Sequence, residues 1–257
     1  MTIQTEEVIF QKSKTKNLSA APKTECDIFC YQPDNIEQMP LGNLYIVAEL
    51  DRVKDCQHLG TLLASLIKRE YYLFPQRGAL KSFERALSKA NGHLKVLSKQ
   101  GNVEWLGKFH FICAVFANDE LLLSQAGQAK TLFFRTGHLS DLGKKAVPDP
   151  EKPHPSKIFS SVVSGKLENN DKLIFATPEI DKLFSANGLK QILTSQRDLA
   201  GITDQINKTL REQTKIPPLA MLFLQICQED SLPAPTLSQN SNRKFITPPI
   251  NLNEIIN

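Results

Sequence analysis

The chain has 257 residues, of which 41% are hydrophobic and 23% charged, with a formal charge of +4. That is ordinary globular composition, and the chain is long enough to bury a core without disulfides or metals. The charge is slight and the lysines are scattered, which argues against the basic footprint of nucleic-acid binding. No apolar run is long enough to cross a bilayer.

Residues 1–24 are polar, carry Lys12, Lys14, Lys16 and Lys23, and are expected to begin the chain loosely. Their opening, MTIQTEEVIFQKSKTK, lacks the apolar centre of a signal peptide. Short strand patterns follow at Asp27–Gln32 and Asn43–Ala48. Two helices come next. Leu59, Leu62, Leu63, Leu66 and Ile67 share a face of the first, and Phe83, Leu87, Ala90, Leu94 and Leu97 recur at helical spacing in the second. Gly101-Asn102 closes the second helix.

Lys108–Ala117 is apolar on both faces, as a buried central strand is, and Asn118-Asp119 turns the chain into Glu120–Gln125. Gly127 interrupts before Lys130–Arg135, and Thr136-Gly137 turns it again, so these strands predict an antiparallel meander. The loop Val147–Pro155 holds four prolines and belongs on the surface. Strands are predicted at Lys157–Val163 and Lys172–Ala176. Helical segments are predicted around Asp181–Phe184, Gly188–Thr194 and Leu199–Gln213, and a last strand at Leu219–Cys227. From Glu229 the chain is rich in Pro, Ser and Asn, a composition that buries too little surface to offset chain entropy. Its last apolar residues, Ile250, Leu252, Ile255 and Ile256, are suited to docking. The expected division is a loose segment over 1–24, a folded domain over 25–228 and a tail over 229–257. Strands and helices in this order make an α+β sandwich, since strict βαβ alternation is absent.

The readable chemistry is sparse. Cys26, Cys30, Cys56, Cys113 and Cys227 are odd in number and irregularly spaced, which argues against a disulfide framework and for a reduced cytoplasmic compartment. Cys56-Gln57-His58 lacks the second ligand pair of a zinc site. His58, His93, His110, His138 and His154 fall in no H-E-x-x-H motif, and His110 lies within the central strand as a core residue. No G-x-S-x-G elbow, phosphate-binding loop or G-x-G-x-x-G fingerprint is present.

Four segments, in order, resemble the metal-dependent (PPM-type, type 2C) protein phosphatases. Leu44-Tyr45-Ile46-Val47-Ala48 matches the strand that ends in V-A-D-G in that family, with Glu49-Leu50 standing for Asp-Gly. Gly60-Thr61-Leu62-Leu63-Ala64-Ser65 looks like the G-x-x-A-S helix. Gly107-Lys108-Phe109 stands for G-x-T, and Gly127-Gln128-Ala129-Lys130 for G-D-S-R, ahead of a strand ending in Phe134-Arg135. Two later segments extend the match. Asn170-Asp171-Lys172-Leu173-Ile174-Phe175-Ala176-Thr177-Pro178-Glu179 is similar to G-D-x-L-L-L-x-T/S-D-G, and Pro217-Pro218 precedes the final strand where the family has D-N.

The resemblance implies a four-layer α-β-β-α sandwich of two antiparallel sheets flanked by helices. Members of that family hydrolyse phosphoserine and phosphothreonine with a water activated by two metal ions bridged by aspartates. The metal-site positions here read Glu49, Leu50, Pro178, Glu179 and Pro217. Only Glu49 keeps a carboxylate in place, proline offers no ligand, and hard divalent cations need several converging oxygens. The expectation is therefore an inactive domain, a pseudophosphatase, with no catalytic residues, no metal and no cofactor, binding a protein partner through Val147–Pro155 or the tail. The alternative is a divergent active phosphatase that takes magnesium or manganese. Its acidic cluster would be rebuilt from Glu49 with Asp51 and Glu179 with Asp181; a separate rescue is metal-free phosphate binding by Lys12, Lys14 or Arg52. Solvated loop carboxylates and ordinary surface lysines are the plainer readings of those residues.

Overall fold

The computed structural model describes residues 1–10, 23–54, 56–146, 154–213 and 216–228. Two five-stranded antiparallel sheets stack face to face. One runs β1 (Thr2–Phe10), β10 (Leu219–Cys227), β9 (Lys172–Ala176), β6 (Lys130–Arg135), β7 (His138–Asp141). The other runs β2 (Glu25–Tyr31), β3 (Asn43–Leu50), β4 (Phe109–Ala117), β5 (Glu120–Ala126), β8 (Val163–Lys166). Alternate residues of β3 and β4 feed different layers, as strand geometry requires. Val47, Ile112 and Ala114 meet Phe175, Leu222 and Leu224 between the sheets. Ile46, Phe111 and Cys113 instead face α1 (Leu59–Tyr72) and α2 (Ala79–Lys99). After the one-turn helices α3 (Gly143–Ala146) and α4 (Ile180–Leu183), α5 (Ala186–Ser195) and α6 (Leu199–Arg211) cover Ile174, Met221 and Phe223 on the far side. The three apolar layers make the expected α-β-β-α sandwich. β4 and β10 are buried at every residue because each lies inside its sheet and is covered on both faces.

Local chemistry sets the connections. Asn118 and Asp119 both take positive φ, the two-residue turn that matches strand twist in a hairpin. The side chains of Ser185 and Asp198 accept from the N–H groups of Gly188 and Gly201, capping α5 and α6. Gly42 (φ +68°) sits against the Phe116 carbonyl, where a Cβ has no room. A 3₁₀ turn, Ile36–Leu41, precedes it and is pinned when Tyr71 and Tyr72 donate to the carbonyls of Leu41 and Gly42.

Four expectations need correction. Residues 2–10 are not loose: they form β1, paired with β10 from Thr2↔Cys227 to Phe10↔Leu219. Gln4, Thr5, Glu6 and Glu7 mask the pattern, since an edge strand shows solvent much of its surface. The meander breaks at Gly127: β5 pairs with β4 and β8, while β6 crosses to the other sheet and pairs with β7 and β9. Adjacent strands in sequence usually pair, but a positive φ at Gly127 lets the chain change layers. Third, the strand read at Lys157–Val163 only begins at Val163. Before it, Phe159 is held by Asn91, whose side-chain amide donates to the Phe159 carbonyl and accepts from its N–H (2.7 and 3.0 Å). Fourth, Leu62 lies on the open side of α1, not on its buried face. The tail and most of the proline loop (147–153) lie outside the described residues.

Candidate functional site

The ends of β3 and β9 meet at one pole of the sandwich, with Gly127 and the start of β10 beside them. Glu49 is paired across the sheet with Cys26 on one side and His110 on the other. The residue is 4% exposed. Burial pushes its pKa up to about 7. A hydrogen bond from Thr177 favours the ionised form, whereas the charges of Asp51 and Glu179 oppose it. Cys26 Sγ lies 3.8 Å from Glu49 Oε2. Thr177 Oγ1 also accepts from the Ala220 N–H, which locks the end of β9 to β10.

Leu50 does not lie at this pole's surface. It is the next residue along a strand, so it points to the opposite face and packs in the layer under α1 and α2. Leu50, read from the resemblance as a metal-site position, thus lies away from the Glu49 carboxylate. Asp51 accepts from the Thr24 hydroxyl (2.6 Å) and from the guanidinium of Arg52 (3.1 Å), which together hold its pKa low against burial. Pro178 borders a cavity of about 340 Å³ shared with Gln128, Lys130, Asp141 and Asp181. Glu179 is bound by Lys182 at 2.7 Å. Asp181 turns away from Glu179 and pairs with Lys130 at 2.8 Å. Pro217 stands two residues before β10 and supplies no polar side chain.

Burial lowers the pKa of His110, the charges of Asp51 and Glu179 opposing, and its Nδ1 accepts from the Gln128 N–H at 3.1 Å. Gly127 permits that approach, because a Cβ there would meet His110 Nδ1 and the Phe109 carbonyl. The structure thus gathers Glu49, Asp51 and Glu179 within electrostatic reach of one another. It does not gather Asp181 or a ligand from Pro178 or Pro217.

No family model matches the chain, and no curated protein matches it. Solved structures do. The catalytic domain of the serine/threonine protein phosphatase PstP, in complex with two manganese ions, superposes with a TM-score of 0.58 at 11% identity, covering 88% of this chain and 99% of that one. PppA, a regulatory component of T6SS in Pseudomonas aeruginosa, gives 0.58 at 11% identity, covering 88% of this chain and 98% of that one. The PP2C phosphatase domain of SpoIIE from Bacillus subtilis gives 0.57 at 14% identity, covering 88% of this chain and 63% of that one. The chain has the PPM-type phosphatase fold.

The PPM-type fold implies a metal centre, and the residues at this pole do not fit one. Divalent cations such as magnesium and manganese need several oxygen ligands converging at about 2 Å. Here two of the positions are prolines, Lys182 occupies Glu179, and Arg52 occupies Asp51. Among the described residues, no three His, Cys, Asp or Glu side chains are arranged to hold an ion.

Other polar groups keep the PPM-type fold in shape. Arg135 and Asp171, both within segments that carry the family resemblance, form a two-pronged pair at 2.8 and 2.6 Å, and Asp171 also accepts from the Glu168 N–H. Their separation of 36 residues hides the pairing in the sequence. Lys172 was read only as a strand residue, yet its ammonium is buried and donates to the carbonyls of Leu193 and Gln196 at the end of α5. The signal for it was a lysine in an otherwise apolar strand. Gln125 donates to the Ala129 carbonyl and accepts from Thr131, bridging the layers where β5 hands over to β6.

Proposed function

We propose that the chain is a catalytically inactive PPM-type phosphatase-like domain, a pseudophosphatase, that works as a binding or regulatory module for a protein partner. What supports this reading is that prolines, Pro178 and Pro217, stand where the resemblance places metal-bridging acids, beside carboxylates paired with Lys182 and Arg52. Hydrolysis by this fold depends on metals that polarise the phosphoryl group and generate hydroxide, and those ligands are missing. The core layers remain intact, so the scaffold still holds its surface in a fixed shape.

A second reading, a divergent active phosphatase, is favoured by the closeness of Glu49, Asp51 and Glu179. One assay separates the two. With an aryl phosphate or a phosphopeptide and magnesium or manganese, the purified full chain is expected to give no turnover above background. Turnover abolished both by chelator and by Glu49→Ala would establish the second reading.

A further inference from the structure

The pole opposite Glu49 carries an exposed apolar patch. Ile36 and Met39, on the 3₁₀ turn, are 83% and 65% exposed. Leu73 and Phe74, just after α1, and Leu80, in the first turn of α2, are also exposed. Gln38 ties the two parts together by donating to the Tyr72 carbonyl at 3.3 Å. Isolated exposed apolar residues need no explanation, but a contiguous group marks a docking surface. The surrounding charge is mixed, with Asp34 and Glu37 set among Lys68, Arg77 and Lys81. Lys68 is already paired with Asp34 at 3.6 Å. That balance gives no field to draw an anionic lipid surface.

The described chain ends at the same pole. The Gln228 N–H donates to Asn169 at 3.1 Å, and the Met1 ammonium lies 3.8 Å from Asp119 in the turn after β4. Gly42, next to the 3₁₀ turn, abuts the end of β4 at Phe116 and Ala117. Beyond Gln228 the sequence falls into two parts. Residues 229–244 are mostly polar, whereas residues 245–257 hold Phe245, Ile246, Ile250, Leu252, Ile255 and Ile256 around Pro248-Pro249. That density departs from the composition of a solvated tail. Leu252, Ile255 and Ile256 also share one face at helical spacing, the pattern by which a short segment docks into an apolar surface. The sixteen residues 229–244 can reach at most about 55 Å, enough to span one pole of the domain.

We propose that residues 245–256 dock in cis on the patch formed by Ile36, Met39, Leu73, Phe74 and Leu80. A tether of this length holds the segment at an effective concentration of order 1 mM. A segment that binds with Kd about 100 μM when untethered is then docked about tenfold over free. The docked segment covers the apolar group without adding to the core, and the inference stands whether or not the chain hydrolyses phosphate.

Hydrogen–deuterium exchange of the full chain tests it, with two double variants, Ile36→Asp/Met39→Asp and Ile255→Asp/Ile256→Asp. In the unmodified chain, amides of 245–256 are expected to exchange about tenfold more slowly than an unstructured peptide, equally at 1 and 50 μM protein, roughly the ratio given above. Both variants should abolish that protection. The tail variant should also speed exchange at 36–41 and 73–80, a readout that does not depend on the patch variant folding. Unprotected tail amides in the unmodified chain overturn the proposal. So does protection that survives Ile36→Asp/Met39→Asp in a protein with an unchanged cooperative melt. Protection that rises with concentration alongside a dimer mass assigns the surface to a second copy and also overturns it.

Discussion

Glu49 is a buried carboxylate whose surroundings favour the proton. A residue 4% exposed, with two acidic neighbours and one hydroxyl donor, titrates near 7 instead of in the usual carboxylate range. The sign of the linkage follows. The folded state holds this proton more tightly than the unfolded chain, so the associated stability is fully present below the unfolded value of 4.5 and is lost as pH rises through about 7. Glu49→Gln removes the titration. Relative to the parent, the variant should gain up to ~3 kcal/mol between pH 4.5 and pH 8. Urea midpoints of both proteins at several pH values measure it, and a pH-independent difference would mean that Glu49 ionises normally. The same residue scale explains why Arg135 and Asp171 persist: a nearly inaccessible carboxylate left without its guanidinium is among the costlier losses a fold can suffer.

Among the elements, β1 is the one that composition concealed. It covers the whole length of β10, and without it the N–H and C=O groups on that side of β10 would form an open edge. Val8 adds a buried side chain to the layer under α6. Deleting residues 1–10 should therefore lower stability by at least ~3 kcal/mol, from lost strand hydrogen bonds and apolar burial together. Chemical denaturation of the shortened chain checks this, and an unchanged midpoint would reduce β1 to an accessory. The second helix was legible, because Phe83, Leu87, Ala90 and Leu94 all meet the sheet that their spacing predicts. The handover from β5 to β6 was not legible, because a glycine between two strands reads equally as a hairpin or as a change of sheet.

At the scale of the whole molecule, a ligand that binds only the folded state raises its stability by mass action. A metal held with Kd one-hundredth of its concentration would add about 2.7 kcal/mol, or roughly 5–10 °C for a domain of this size. With Lys182 on Glu179 and Arg52 on Asp51, millimolar magnesium or manganese is expected to leave the melting temperature where it was. Thermal denaturation with and without each metal is the measurement. A concentration-dependent rise would revive a site rebuilt from Glu49, Asp51 and Glu179.

The sequence by itself determined the layers: runs of alternating and continuous apolar residues choose which faces must be covered, and short ordered segments carried the likeness to the PPM-type phosphatases. It also determined what Pro178 and Pro217 lack, since a missing side chain needs no coordinates. Only the tertiary structure decided which charges answer one another. Lys182 and Glu179 are three residues apart, but Lys130 meets Asp181 across 51 positions, and Arg135 meets Asp171 across 36. It alone turned Leu50 inward, placed β6 in the second sheet and buried Lys172 against the end of α5. Hydrophobic patterning acts locally along the chain and is written in order. Electrostatic pairing depends on distance in space, which the order of residues does not record.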